Sequence, residues 1–123
     1  MAENKPHDLS GIRYEGGKDH HHERVAIIVS KWNNEITDVL YQGAQATLVD
    51  AGIYASDIYR IDVPGSYELP LGADIVLRQH PELEGVICLG CVIQGETRLF
   101  EFISDAVAQG VMRVGLDHLK PVM

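Results

Sequence analysis

Residues 86–93, Val-Ile-Cys-Leu-Gly-Cys-Val-Ile, run for eight positions without a polar side chain longer than a thiol. A strand with one wet face alternates polar and apolar residues. A run without alternation suits a strand buried on both faces, as in a parallel sheet covered by helices. Gln94-Gly95-Glu96-Thr97 then breaks the run, and Leu99, Phe100, Ile103, Val107, Gly110, Val111 and Val114 recur at helical spacing. The stretch from Glu84 to Phe102 thus predicts a buried strand, a short polar turn and a helix. The helix start stands at the strand's C-terminal end, where open α/β sheets bind ligands and first-turn amides attract anions. Any βα turn in a parallel sheet shares that geometry, so a function has to come from particular side chains.

Two further units repeat the pattern. Arg24 to Ser30, RVAIIVS, reads as a buried strand, followed by the loop Lys31-Trp32-Asn33-Asn34. Asn33 or Asn34 is a candidate N-cap. Ile36, Val39, Leu40, Gly43, Thr47 and Ala51 mark a helix that ends at Gly52, a suitable residue for the position after a C-cap. Ile58 to Val63 is the second strand, with Tyr59, Ile61 and Val63 on one face and Arg60 and Asp62 on the other. Pro64-Gly65-Ser66 turns the chain, and Ser66 is placed to cap a helix carrying Leu69 to Leu77 with Pro70 in its first turn. Gly115 to His118 reads as a loop, and Lys120 to Met123 as the opening of a fourth strand. The order β-α-β-α-β-α-β with short connections predicts an α/β, three-layer flavodoxin-like fold, a central parallel sheet with helices on both faces.

Composition narrows the function. The chain of 123 residues suits a single domain, and its 10 basic and 18 acidic residues argue against a nucleic-acid surface. A small anion is still allowed, because a few backbone amides hold one phosphate against a negative net charge. No apolar run approaches the roughly 20 residues of a membrane helix, and the polar N-terminus lacks a signal peptide's apolar region, which points to the cytoplasm. The two cysteines, Cys88 and Cys91, lie three apart along one strand and so point to opposite faces, with no second pair to complete a metal site. Packed thiols and no metal are the expectation. Residues 1–23 are polar and irregular and read as a flexible N-terminal arm, disordered alone or ordered against a partner. The tract His20-His21-His22 within them reads as a solvated lead-in, not a metal site.

The topology gathers three loops at one sheet edge: Trp32, then Ser66-Tyr67-Glu68, then Gly95-Glu96-Thr97. Trp32 can form a stacking wall for a planar ligand or cap the end of the core, and the residues alone leave both open. Glu68 at a helix start is favoured by the macrodipole in any case. No Ser-His-Asp set, H-E-x-x-H, P-loop or G-x-G-x-x-G occurs.

VSKWNNEIT, VPGSYELP and LGCVIQGETRLFEF, in this order and at these separations, resemble the 6,7-dimethyl-8-ribityllumazine synthase family of riboflavin biosynthesis. The resemblance runs from about Arg24 to Met123. It implies condensation of 5-amino-6-ribitylamino-uracil with 3,4-dihydroxy-2-butanone 4-phosphate, with no metal or organic cofactor. It implies that Trp32 stacks on the pyrimidine and that Ser66, Tyr67 and Glu68 hold this substrate, Glu68 through the ribityl hydroxyls. Cys91, Val92 and Ile93 match a strand end whose backbone meets the ring's polar edge, and Glu96 and Thr97 match the turn that binds the butanone phosphate. The family forms homo-pentamers, some joined into icosahedral shells, with active sites between subunits and the N-terminal arm packed on a neighbour.

Two departures qualify that expectation. Where the family carries its proton-transfer histidine, just before an aromatic-acid-aromatic segment, this chain has Leu99 ahead of Phe100-Glu101-Phe102. General acid–base help is worth about 100- to 10,000-fold, so Leu99 predicts a slowed reaction. Proximity of two bound reactants, worth about 7–11 kcal/mol, stays in place. Family members also continue past KPVM with more of that strand, a strand–helix segment and a final helix. An aromatic that helps close the pyrimidine site and an arginine on the phosphate lie there, so residues 24–123 read as a C-terminally incomplete domain. The alternative is an inactive assembly module of the same family. A generic flavin- or nucleotide-binding domain has little support, since no nucleotide fingerprint is present.

Overall fold

Val25–Ser30 forms β1, the central strand, and residues 26–30 are all buried. It pairs in parallel with β2 (Ile58–Val63) on one side and β3 (Gly85–Leu89) on the other, giving the order β2-β1-β3. The computed structural model describes residues 11–12 and 20–123. The expected arm over residues 1–23 therefore falls mostly outside the described residues.

Period-two alternation along β1 divides the core. Ala26 and Ile28 join Leu69, Ala73, Val76 and Leu77 of α2 (Leu69–Gln79) and Val114 of α3 (Leu99–His118). Ile27 and Val29 face the other way, with Tyr41, Ala44 and Leu48 of α1 (Asn34–Asp50) packed beside them. Helices thus cover both faces, and the three-layer flavodoxin-like arrangement is the observed one. Ile27 and Ile28 are fully buried, and each such side chain contributes about 1.5–3 kcal/mol of transfer free energy.

Several local expectations hold in detail. β2 turns Tyr59, Ile61 and Val63 toward the α2/α3 core. Arg60, on the opposite face, reaches Asp38 of α1 at 2.7 Å and lies over the Tyr41 ring. Gly52, with φ of 106°, ends α1: its N–H bonds Val49 O and the Ile53 N–H bonds Leu48 O. That is the paired closure a left-handed residue after the C-cap permits. Val122 bridges Val86 in parallel, and Pro121 and Met123 exchange backbone hydrogen bonds with Val86 and Cys88. The fourth strand opens there, on the outer edge of β3.

Other expectations need correction. Residues 115–118 are the last turn of α3, not a loop. β3 ends at Leu89, so Cys91–Ile93 lie beyond the strand. The stripe that marks α1, with Ile36, Val39 and Leu40, is exposed. Thr37, Tyr41, Ala44 and Leu48 meet the sheet instead. Both stripes have helical spacing, and the buried Thr37 hydroxyl, which donates to Ser30 O, holds the second one against the sheet. The histidine tract is solvated as expected, with His21 and His22 exposed, though His20 Nδ1 lies 2.8 Å from Glu23 Oε2 and the His21 ring stacks on Tyr54 at 5.0 Å.

Candidate functional site

At the C-terminal edge of the sheet the three βα turns surround a cleft of about 390 Å³. Trp32, Ser66, Tyr67, Glu68, Cys91, Val92, Ile93, Thr97 and Leu99 all line it. Each was singled out in the sequence. Glu96 does not contribute to the lining, although Gly95 and Thr97 on either side of it do. Gly65, Phe100 and Ile103 also line the cleft and were not anticipated as site residues. Phe100 and Ile103 belong to the inward stripe of α3, so helical periodicity carried the signal that could have found them.

The first turn is held by its backbone. The Lys31 N–H bonds Val63 O at 2.8 Å and the Trp32 N–H bonds Pro64 O at 3.1 Å, extending the β1–β2 pairing past both strand ends. The buried Thr37 hydroxyl donates to Ser30 O at 2.7 Å, and the Ser30 hydroxyl donates to Trp32 O at 3.4 Å. Asn33 occupies the N-cap position of α1 in a left-handed conformation and makes no side-chain cap. Its amide donates to Cys91 O at 3.3 Å instead. Trp32 itself is 71% exposed, so its ring stands in the cleft as a wall and does not cap the core.

The second turn is a single 3-10 turn, Ser66–Glu68, closed by the Glu68 N–H on Gly65 O. Ser66 does not cap α2 as expected, because this 3-10 turn precedes the helix. Among the described residues its buried hydroxyl has no hydrogen-bond partner, and the residue is only 8% exposed. A buried polar group left unpaired costs about 1–3 kcal/mol, which a ligand hydroxyl or carbonyl reaching Ser66 would recover. Gly90 makes room for it: a Cβ at that position would stand 2.5 Å from Ser66 Oγ.

The third turn opens α3. The Thr97 hydroxyl accepts from the Leu99 N–H at 3.4 Å, and Arg98 pairs with Glu101 along the helix. Among the described residues no side chain caps these first-turn amides strongly, which leaves donors for an anion. The two cysteines part here. Cys88 lies against the α2/α3 core and lines a neighbouring groove, whereas Cys91 lines the cleft. Burial pushes the Cys88 thiol up to about 11, so it stays protonated at neutral pH.

Comparison with known proteins decides the family. Residues 22–123 match the family model for 6,7-dimethyl-8-ribityllumazine synthase. The chain belongs to the 6,7-dimethyl-8-ribityllumazine synthase family. It is 50% identical over 97 residues to the 6,7-dimethyl-8-ribityllumazine synthase of Cytophaga hutchinsonii, covering 79% of this chain and 60% of that protein. The synthase of Stenotrophomonas maltophilia is 46% identical over 100 residues, covering 81% and 64%. That of Porphyromonas gingivalis is 38% identical over 120 residues, covering 95% and 72%. The chain thus spans about 60% of the length of the Cytophaga relative. Membership of the lumazine synthase family also accounts for the α/β architecture. No helix among the described residues is long and apolar enough to cross a membrane.

Proposed function

We propose that the protein is a cytoplasmic 6,7-dimethyl-8-ribityllumazine synthase, slowed by Leu99, that condenses 5-amino-6-ribitylamino-uracil with 3,4-dihydroxy-2-butanone 4-phosphate. The observation that carries this reading is the convergence of all three family motifs on one cleft in a chain of that family. In this reading the pyrimidine stacks on Trp32 and its polar edge meets the backbone of Cys91–Ile93. Ser66, Tyr67 and Glu68 hold the ring and ribityl chain, the unpaired Ser66 hydroxyl gaining a partner. The butanone phosphate rests on the Glu96-Thr97 turn, against the positive end of α3.

The chemistry then depends on what stands at position 99. Leu99 lines the cleft and is 60% exposed, yet its side chain moves no proton. The residues present bind and align the two reactants, and proton transfer is left to the substrates and solvent. Trp32, Tyr67, Ile93, Leu99 and Phe102 leave much apolar surface bare around the cleft. That exposure supports a homo-pentamer or larger shell in which a neighbouring copy closes each site.

The test is direct: mix both substrates with the protein and follow lumazine absorbance against the uncatalysed rate. A rate above background supports the synthase. Leu99 favours a second reading, a module that binds and assembles without turnover. Background rate together with pyrimidine quenching of Trp32 and a pentamer by light scattering would select that one. A folded monomer that leaves Trp32 fluorescence unchanged would remove both.

A further inference from the structure

We propose that Asn33 is a positioning residue that sets the gap between the two walls of the cleft, the Trp32 ring and the Cys91–Ile93 segment. The inference rests on the proposed pyrimidine site and names what tunes its width. Among the described residues, Asn33 (φ of 60°) and Leu119 are the non-glycine residues with positive φ. Asparagine tolerates that conformation better than other side chains.

At an N-cap, an asparagine ordinarily turns back on its own helix, worth about 0.5–2 kcal/mol. Asn33 gives up that local bond. Its Nδ2 reaches across 58 positions of sequence to the Cys91 carbonyl. The left-handed backbone makes this reach possible, because it turns the side chain away from the first turn of α1.

Both walls depend on such a tether. The Trp32 ring is mostly exposed, so neighbouring side chains do little to orient it. Its orientation comes from the backbone: the N–H on Pro64 O, the carbonyl accepting from Ser30, and the residue that follows it in the chain. Cys91–Ile93 lie past the end of β3, beyond the last register pair Val29–Leu89. Asn33 ties one wall to the other. A planar ring fits between them only at the right separation, and in a site that aligns two reactants a misplacement of about 1 Å costs about 100-fold in rate.

Two substitutions separate the amide from the backbone. Asn33→Gly keeps positive φ without strain and removes the amide. Asn33→Asp keeps the size and exchanges the donor for an acceptor facing the Cys91 carbonyl. The readouts are the Kd of 6,7-dimethyl-8-ribityllumazine from Trp32 quenching, the time-resolved anisotropy of Trp32 in the unliganded protein, and Tm. Gly52→Ala, strained at the far end of α1, serves as a structural control. Both Asn33 variants should weaken binding by up to about tenfold and loosen Trp32. Gly52→Ala should lower Tm while leaving Kd and anisotropy at parental values. Parental Kd and anisotropy in Asn33→Gly would overturn the inference and leave the synthase reading intact. If the parent does not bind the lumazine, the synthase reading falls, and the anisotropy comparison by itself decides whether Asn33 holds Trp32.

Discussion

The turn after β1 and the turn after β3 face each other across one cleft, yet they are built differently. Residues 30–37 carry a chain of hydrogen bonds: Lys31 to Val63, Trp32 to Pro64, Ser30 to Trp32 and Thr37 to Ser30. Residues 94–97 carry, among the described residues, the weak Thr97–Leu99 contact. The contrast suits the two ligands proposed for them. A flat ring needs a wall at a fixed distance. A phosphate presents oxygens in several directions and is held by amides that a helix start supplies in any case. The difference teaches where this fold spends its internal hydrogen bonds: on the wall that must not move.

The largest expected effect lies in the sparsely bonded turn. Leu99→His should raise lumazine formation by about 100- to 10,000-fold, measured from absorbance with both substrates saturating. An unchanged rate would show that this turn only binds, and would sharpen the contrast with the first. The next effect belongs to the well-bonded turn. Thr37→Val removes a buried hydroxyl from the Ser30 carbonyl and should cost about 1–3 kcal/mol in urea unfolding. A parental midpoint would break the claim that this turn is held from within. Thr97→Ala should change stability little and weaken the butanone phosphate by about 0.5–1.5 kcal/mol, read as a rise in its KM alone.

The smallest effect concerns the far end of α3, which is anchored where its start is not. Asp74 is held below the ordinary carboxylate range by its hydrogen bond to His118 and then by Arg78. A depressed folded pKa contributes stability that is complete above the unfolded value and lost as pH falls through the folded one. Asp74→Asn should therefore flatten the acid limb of the stability profile from about pH 5 downward. Little change is expected at higher pH beyond loss of this part-buried hydrogen bond, about 0.5–1.5 kcal/mol. An identical acid limb in the variant would count against it.

Much of this was legible in the residues. The unbroken apolar runs of β1 and β3 announced a covered parallel sheet, and the stripe of α3 fell where its spacing put it from Phe100 onward, Leu99 alone standing exposed. The cleft residues were found because three short motifs follow three strands. Other features stayed hidden for physical reasons. Spacing along α1 allowed two stripes, and the buried hydrogen bond from Thr37 to Ser30 O goes with the one that carries Tyr41, Ala44 and Leu48. Cap chemistry pointed Asn33 and Ser66 at their own helices. A left-handed backbone and an intervening 3-10 turn sent them elsewhere, and neither is visible in residue type. The end of β3 could not be placed either, since apolar residues continue past the point where its ladder stops.

One close approach carries a further consequence. A Cβ built on Gly110 would stand 2.6 Å from the Pro70 ring, so α2 and α3 touch there almost backbone to side chain. Position 110 is not free to grow while proline stands at 70. A larger residue at 110 demands a smaller one at 70, and the two should drift through evolution as a compensating pair. Gly110→Ala ought then to be rescued by shrinking position 70 in the same molecule and by no distant change.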